Sequence, residues 1–219
     1  MTSRTDPTRP PPPPIVWIMA LVFVLFEILA QLNLAGGQVN FWMIGRLAFF
    51  DGWLHQALTG EGAPPFFWTS FFTYAFLHGG LLHLAMNTAI FLALGGMLAN
   101  RLGPWRFLIL FLATSAVGAL VWGLLFMGDP GAHLVGASGA IFGFIGALKR
   151  WEWRWIAATG APSNRFWGTI VALTLLNVML AFMGPGGAEV AWQAHLGGFV
   201  GGWLIAPALA PGKAGPSPI

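Results

Sequence analysis

The sequence predicts an all-α polytopic membrane protein, a bundle of six transmembrane helices with a structured first loop. Three observations predict it. Hydrophobic residues make up 57% of the chain and charged residues only 8%, against about 25% charged in an ordinary soluble domain, and the mean hydropathy is +0.73. Apolar runs of spanning length recur at 15–34, 79–99, 105–127, 137–156, 166–183 and 192–210, each near the roughly 20 residues a bilayer requires. Finally, the lysines and arginines fall almost entirely between alternate runs or in the run ends that flank them.

The charge asymmetry sets the orientation, because cytoplasmic segments retain positive charge. With six spans, Arg4, Arg9, Arg101, Arg106, Lys149, Arg150, Arg154, Arg165 and Lys213 share one side, nine of the ten basic residues. The other side holds Arg46 with Asp51, Glu61, Asp129 and Glu189. Both termini are therefore expected in the cytoplasm, and a bacterial inner membrane is the expected location. Five or seven spans would scramble this distribution. The net charge of +3 and pI near 10.2 do not indicate a nucleic-acid partner, since the basic residues are scattered between apolar runs instead of clustered on one face.

Residues 1–14 end in the run Pro10–Pro14, which cannot form a helix and is expected to be a disordered, extended cytoplasmic tail. Residues 15–210 form the membrane domain, and 211–219 a short cytoplasmic tail. The first run follows two arginines but lacks a clear small-x-small cleavage site and precedes five more spans, so it is expected to stay as a helix. The stretch from Ala35 to Phe72 is too long for a turn and rich in Trp, Phe and Gly; it is expected to lie at the interface, where aromatics are favoured. The absence of cysteine excludes disulfides, thiolate metal sites and cysteine nucleophiles.

Hydrogen-bonding side chains are costly in a bilayer and mark functional positions. Four stand out: His83, Asn87, Ser138 and His195. Ser138 lies in Gly136-Ala137-Ser138-Gly139 at the head of the fourth run, where free helix N–H groups can receive an oxyanion; a small-residue packing face is the alternative. His195 opens the sixth run, and its glycines recur at 197 with 201 and 198 with 202, a pattern that permits close approach to a helix with small residues such as Gly139 and Gly143. If the two helices pack, a neutral imidazole reaches the Ser138 hydroxyl as a base. Otherwise His195 bonds a backbone carbonyl between helices.

His83 and Asn87 are four apart and share a helix face. They suit an oxyanion hole, in which one donor contributes about 2.7–4 kcal/mol, or an interhelical clamp worth about 0.6 kcal/mol. A metal centre is not expected: His78 and His83, five apart on a helix, diverge by about 140°, and the His-Glu-x-x-His pattern is absent. Glu27, an acid within the first run, receives no role.

These motifs, His78, His83-x-x-x-Asn87, Gly136-x-Ser138-Gly139 and Ala194-His195-x-x-Gly198-x-x-x-Gly202, resemble those of the rhomboid family of intramembrane serine proteases, over roughly residues 66–205. The resemblance implies a serine endopeptidase with a Ser138–His195 dyad and no third acid. It implies an oxyanion site of His83, Asn87 and the Ser138 backbone N–H beside Ala137, with Gly136, Gly139 and Phe142 supporting the site and Gly198 and Gly202 packing the helices. No cofactor is implied. The implied fold is a six-helix bundle around a cavity open to the non-cytoplasmic side, with the loop Gly128–Ala137 dipping into the membrane. The implied partners, besides lipid, are single-pass transmembrane substrates cut near their outer ends.

Three departures from the family pattern stand out. Trp68-Thr69-Ser70 replaces a frequent Trp-Arg in the first loop. Ala99, between Gly95 and Gly103, replaces a frequent glutamate. Phe142 replaces a frequent tyrosine that stacks on the histidine. A catalytically inactive scaffold that binds membrane helices is the alternative function, although such relatives usually lack the serine or histidine. A channel or transporter would call for paired repeats, which the sequence lacks.

Overall fold

Helices and their stops follow directly from where prolines and glycines interrupt the apolar runs. A computed structural model of the chain describes residues 10–32, 34–125, 131–183 and 191–210. The helices are α1 (Pro14–Gln31), α2 (Gln38–Leu47), α3 (Asp51–Thr59), α4 (Phe67–Thr73), α5 (Leu81–Leu102), α6 (Pro104–Leu125), α7 (Ser138–Thr159), α8 (Asn164–Met183) and α9 (Trp192–Leu209). One two-residue ladder joins β1 (Phe49–Phe50) to β2 (His133–Leu134), antiparallel. The tails at 1–9 and 211–219, the end of the third apolar run and the part of the Gly128–Ala137 loop up to residue 130 lie outside the described residues.

Six helices have 18 to 22 residues, and each coincides with one expected run to within a few residues. Three of them, α1, α5 and α6, are long and apolar enough to cross a membrane by length and composition. Among the described residues, α7 and α9 fall short of that composition for visible reasons. α7 carries Lys149, Arg150, Glu152 and Arg154, and α9 carries Gln193, His195 and four glycines. Both are also helices with extensively buried faces, so protein, more than lipid, is the solvent for much of their surface.

The proline run does not stay free of the bundle. Pro13 is extended and Pro14 already begins α1, as a proline without an N–H can. The Asn100 amide donates to the carbonyls of Pro10 and Pro11 at 3.3 and 3.2 Å, so residues 10–12 lie along the end of α5. Between α5 and α6 the chain turns on the single residue Gly103, with φ +76°, before Pro104 starts the next helix.

The core between α1, α5, α6 and α7 is aromatic. Phe91 meets Phe23 edge-on at 5.0 Å, and Phe107 meets Phe144 at 5.3 Å. On the other flank α9 packs backbone to backbone. A Cβ on Gly198 would run into the carbonyl oxygen of Gly139, one on Gly202 into that of Gly143, and one on Gly146 into that of Phe199. Gly197 and Gly201 face α6 instead, where a Cβ would meet Val121 at 2.7 Å and Val117 at 3.0 Å. The alternate glycines thus serve two partners, as only the α7 contact was expected from their spacing.

The segment from Ala35 to Phe72 is folded, as expected, and contains α2, α3 and most of α4. Phe49 is fully buried and packs on Phe71 at 4.8 Å and Trp122 at 6.1 Å. The Thr73 hydroxyl donates to the Leu47 carbonyl at 2.7 Å, and the Arg46 guanidinium lies 4.7 Å over Phe66. Rings and backbone bonds anchor this loop where a Trp-Arg pair is missing.

The glycine contact generates a prediction. Gly198→Ala and Gly202→Ala must each push α9 off the α7 backbone, and overpacking of this kind costs about 1–3 kcal/mol or more. Both variants should melt well below the wild type in detergent. Gly168→Ala, with nothing within 4 Å of the added methyl, should melt with it or slightly above. Equal melting of all three would refute the close contact.

Candidate active site

The site is built from the loop before α7 outward. Gly136 donates its backbone N–H to the Tyr74 carbonyl at 3.1 Å and adopts φ +112°, a conformation open to glycine. A Cβ there would stand 2.7 Å from the His83 ring, so glycine is also needed for space. Ala137, fully buried, precedes the helix and supplies no side-chain cap. Ser138 is the first helical residue. The N–H groups of this first turn have no carbonyl one turn back to bond, which leaves the Ser138 N–H and its neighbours as donors.

Tyr74 holds this junction from beneath. Its hydroxyl donates to the Ser115 carbonyl of α6 at 2.9 Å, and it lies 3.2 and 2.9 Å from the positions that Cβ atoms on Gly118 and Gly139 would take. The absence of side chains on those two glycines therefore makes the room for its phenol.

His195 stands near the start of α9, which the glycine contact presses onto α7. Its Nε2 lies 2.9 Å from the Ser138 Oγ, and its Nδ1 lies 2.6 Å from the Asn177 Oδ1 on α8. An amide oxygen only accepts, so this bond requires the proton on Nδ1. Nε2 then carries the lone pair and faces the serine hydroxyl. Phe142, one turn along α7 from Ser138, stacks on the imidazole at 4.2 Å with an interplanar angle of 6°. The imidazole is almost fully enclosed, at 5% exposure.

The α5 side supplies neutral donors. The Gly79 N–H donates to the His83 Nδ1 at 3.3 Å, which assigns the His83 proton to Nε2, the edge turned toward Gly136. Asn87 is buried, and one of its amide N–H groups donates to the His83 carbonyl at 3.0 Å. Its second N–H remains as a potential donor. His83 and Asn87 thus share a face, as their spacing predicts.

His78 corrects one expectation. The 140° divergence from His83 supposed both on one helix, but α5 starts at Leu81 and Gly80 has φ +122°. The chain bends at the Gly79-Gly80 pair, and the two rings meet edge-on at 5.2 Å. No set of three or more potential metal ligands forms among the described residues. Glu27 is buried at 1% exposure and accepts from Gln31 at 2.7 Å.

Ser138, His195 and Phe142 therefore meet at the head of α7, where Gly136 lies against His83, while Gly198 and Gly202 form the α9–α7 contact beside them. Tyr74 and Asn177 join the site without belonging to any of the motifs. Asn177 carried a signal, being an amide inside an apolar run; a lone tyrosine before a turn carries none.

Known proteins share the sequence of this domain. The model of the Rhomboid domain matches residues 65–212. The chain is 30% identical over 205 residues to rhomboid protease GluP of Bacillus subtilis (strain 168), covering 93% of this chain and 36% of that protein. It is 28% identical over 232 residues to RHOMBOID-like protein 5 of Arabidopsis thaliana, covering 91% and 71%. It is 28% identical over 136 residues to rhomboid protease GlpG of Yersinia pseudotuberculosis serotype I (strain IP32953), covering 61% and 45%. The chain thus spans about a third of the length of the first of these and under half of the third. Together with the apolar helices, the matched domain makes this an integral membrane protein, and the chain belongs to the rhomboid family.

Proposed function

We propose that the chain is an intramembrane serine endopeptidase that cuts transmembrane helices of other membrane proteins. The observation that carries this reading is the 2.9 Å approach of the Ser138 Oγ to the His195 Nε2, within the hydrogen-bond reach required of a nucleophile and its base. The names of the relatives GluP and GlpG, both rhomboid proteases, point the same way. All six long helices cross the bilayer in this reading. Both termini are cytoplasmic, and the site opens to the opposite side of what we take to be a bacterial inner membrane.

The chemistry follows from the donors present. His195 Nε2 takes the Ser138 proton while Oγ bonds to the scissile carbonyl carbon, whose oxygen becomes an oxyanion. The Ser138 N–H, at the Ala137 junction, the His83 Nε2–H and the free Asn87 N–H receive that charge. The C–N bond then breaks, the imidazolium gives its proton to the leaving amine, and an acyl ester remains on Oγ. Water, deprotonated in turn by His195, cleaves the ester and restores the serine. Phe142 keeps the imidazole plane fixed throughout. Every group is neutral in the resting state, which suits a site at membrane depth.

An inactive scaffold that binds membrane helices would have no use for a serine and histidine in this register, and no observed feature favours it.

Two outcomes check the proposal. Ser138→Ala and His195→Ala should each abolish cleavage of a model transmembrane substrate in proteoliposomes, and a fluorophosphonate should label the wild type but not Ser138→Ala. Near wild-type cleavage by either variant would overturn the dyad. His83→Ala should retain fluorophosphonate-accessible Ser138 yet lose on the order of 10²–10³ in kcat, the usual loss for one oxyanion donor; an unchanged kcat removes His83 from that role.

A further inference from the structure

Among the described residues, α8 makes one hydrogen bond to another helix through a side-chain pair, the 2.6 Å contact between the Asn177 Oδ1 and the His195 Nδ1. The residues around Asn177 face outward: Leu175 is 63% exposed, Leu176 43%, Val178 49% and Met179 49%. An amide on so apolar a helix is costly in lipid unless it is bonded, and its bond goes to the proposed base.

We propose that Asn177 is a positioning residue for that base, holding His195 in the tautomer that leaves Nε2 unprotonated toward Ser138. This rests on the serine-protease reading above and adds a third member to what the family resemblance implies as a dyad. The two neighbours of the imidazole divide the work. Stacking on Phe142 fixes the plane of the ring but permits rotation within that plane. The bonds at Nδ1 and Nε2 fix the rotation. If Asn177 were lost, Nδ1–H would be left without its acceptor in an enclosed site, and the alternative tautomer, with the proton on Nε2, would present a donor to Ser138 and could not act as base.

An asparagine achieves this without a formal charge. Its dipole supports the imidazolium that forms during catalysis, but less strongly than a carboxylate. The nearby titratable group acting on His195 is His83 on α5; Ser138, Phe142 and Asn177 contact the ring without a formal charge.

The test uses the full chain in proteoliposomes with a transmembrane substrate and compares Asn177→Leu, Asn177→Asp and Asn177→Gln, with folding followed by thermal melting. Replacing a charged triad acceptor so that the tautomer is lost costs about 10⁴ in kcat in serine proteases. For this neutral acceptor we expect a smaller loss, roughly 10²-fold, in Asn177→Leu, with KM little changed. In Asn177→Asp a carboxylate stabilises the imidazolium, so the acid limb of the kcat/KM profile should move to higher pH; in Asn177→Leu it should move to lower pH. Asn177→Gln should recover part of the activity lost in Asn177→Leu. A purely structural tie would lower the melting temperature without moving the acid limb, and that result overturns the proposal, as does wild-type kcat in Asn177→Leu. If Asn177→Leu fails to fold, Asn177→Gln decides by kcat, a wild-type value with a lowered melting temperature overturning the proposal, and an acid limb left unmoved in Asn177→Asp overturns it too. Failure of the protease reading itself would look different, since Ser138 of the wild type would then resist fluorophosphonate.

Discussion

The structure depends on the approach of α9 to α7 without intervening side chains. Gly198 lies on the carbonyl of Gly139, Gly202 on that of Gly143 and Gly146 on that of Phe199. In lipid no hydrophobic force presses helices together, so close van der Waals packing has to supply the association. Glycine in a helix costs about 1 kcal/mol relative to alanine, and α9 has four. The cost is offset because each removed side chain lets backbone meet backbone. The same contact sets the reach of the site: Gly139 follows Ser138 directly, and Gly198 is three residues past His195. One of the three close backbone contacts, Gly198 on Gly139, therefore lies within one turn of the Ser138 and His195 side chains that meet at 2.9 Å.

The second constraint acts on the loop that delivers Ser138. Its described part is pinned at both ends. β2 pairs with β1, setting Leu134 opposite Phe49, and the Gly136 N–H bonds to the Tyr74 carbonyl. The folded first loop thus reaches the active site through two backbone connections, one at Phe49–Phe50 and one at Tyr74. This explains how a first loop without the family's frequent Trp-Arg remains ordered. The buried rings of Phe49 and Phe67 and the half-buried ring of Phe71 hold one side, and Thr73 bonded to Leu47 holds the other. The loop acts as a brace for the junction that carries Ser138, and its aromatic content serves packing.

Helix positions are legible in the sequence because lipid imposes a length and a composition on any span, and prolines and glycines mark the ends. Ser138 and His195 are legible because polar groups flanked by glycine at the heads of apolar runs have few structural explanations. Other features lie beyond such patterns. The β1–β2 ladder joins residues more than eighty positions apart and has only two residues in each strand, too short for any periodicity. The approach of His78 to His83 depends on backbone angles at Gly79 and Gly80, which residue spacing alone does not reveal. Tyr74 acts through a carbonyl and a hydroxyl on opposite sides of its residue, which no local motif encodes. Asn177 is a polar residue in an apolar run, as His83, Asn87, Ser138 and His195 are, but nothing near it in sequence indicates an active site. Its partner comes from the next helix.

The neutrality of the site is the last consequence of its setting. Among the described residues the ion pair is Lys149–Glu152 at 2.7 Å, three turns along α7 from Ser138 and toward the helix's basic end. Near Ser138 the histidine is oriented by an amide, a phenyl ring and a hydroxyl, none of which carries a formal charge. In water a serine protease can place a carboxylate behind its histidine, because solvation and hydrogen bonds around the acid offset its burial. Behind His195 the flanking surface of α8 is apolar and exposed, and in the proposed transmembrane placement an ionised carboxylate there would be expensive. Asn177 gives the same directional acceptor without that charge. Phe142 follows the same logic, for it retains the stacking face and carries no hydroxyl that would need a partner. On the proposed reading the chemistry of a soluble triad is translated into groups that a bilayer tolerates, and precision comes from backbone contact and ring stacking in place of ion pairs.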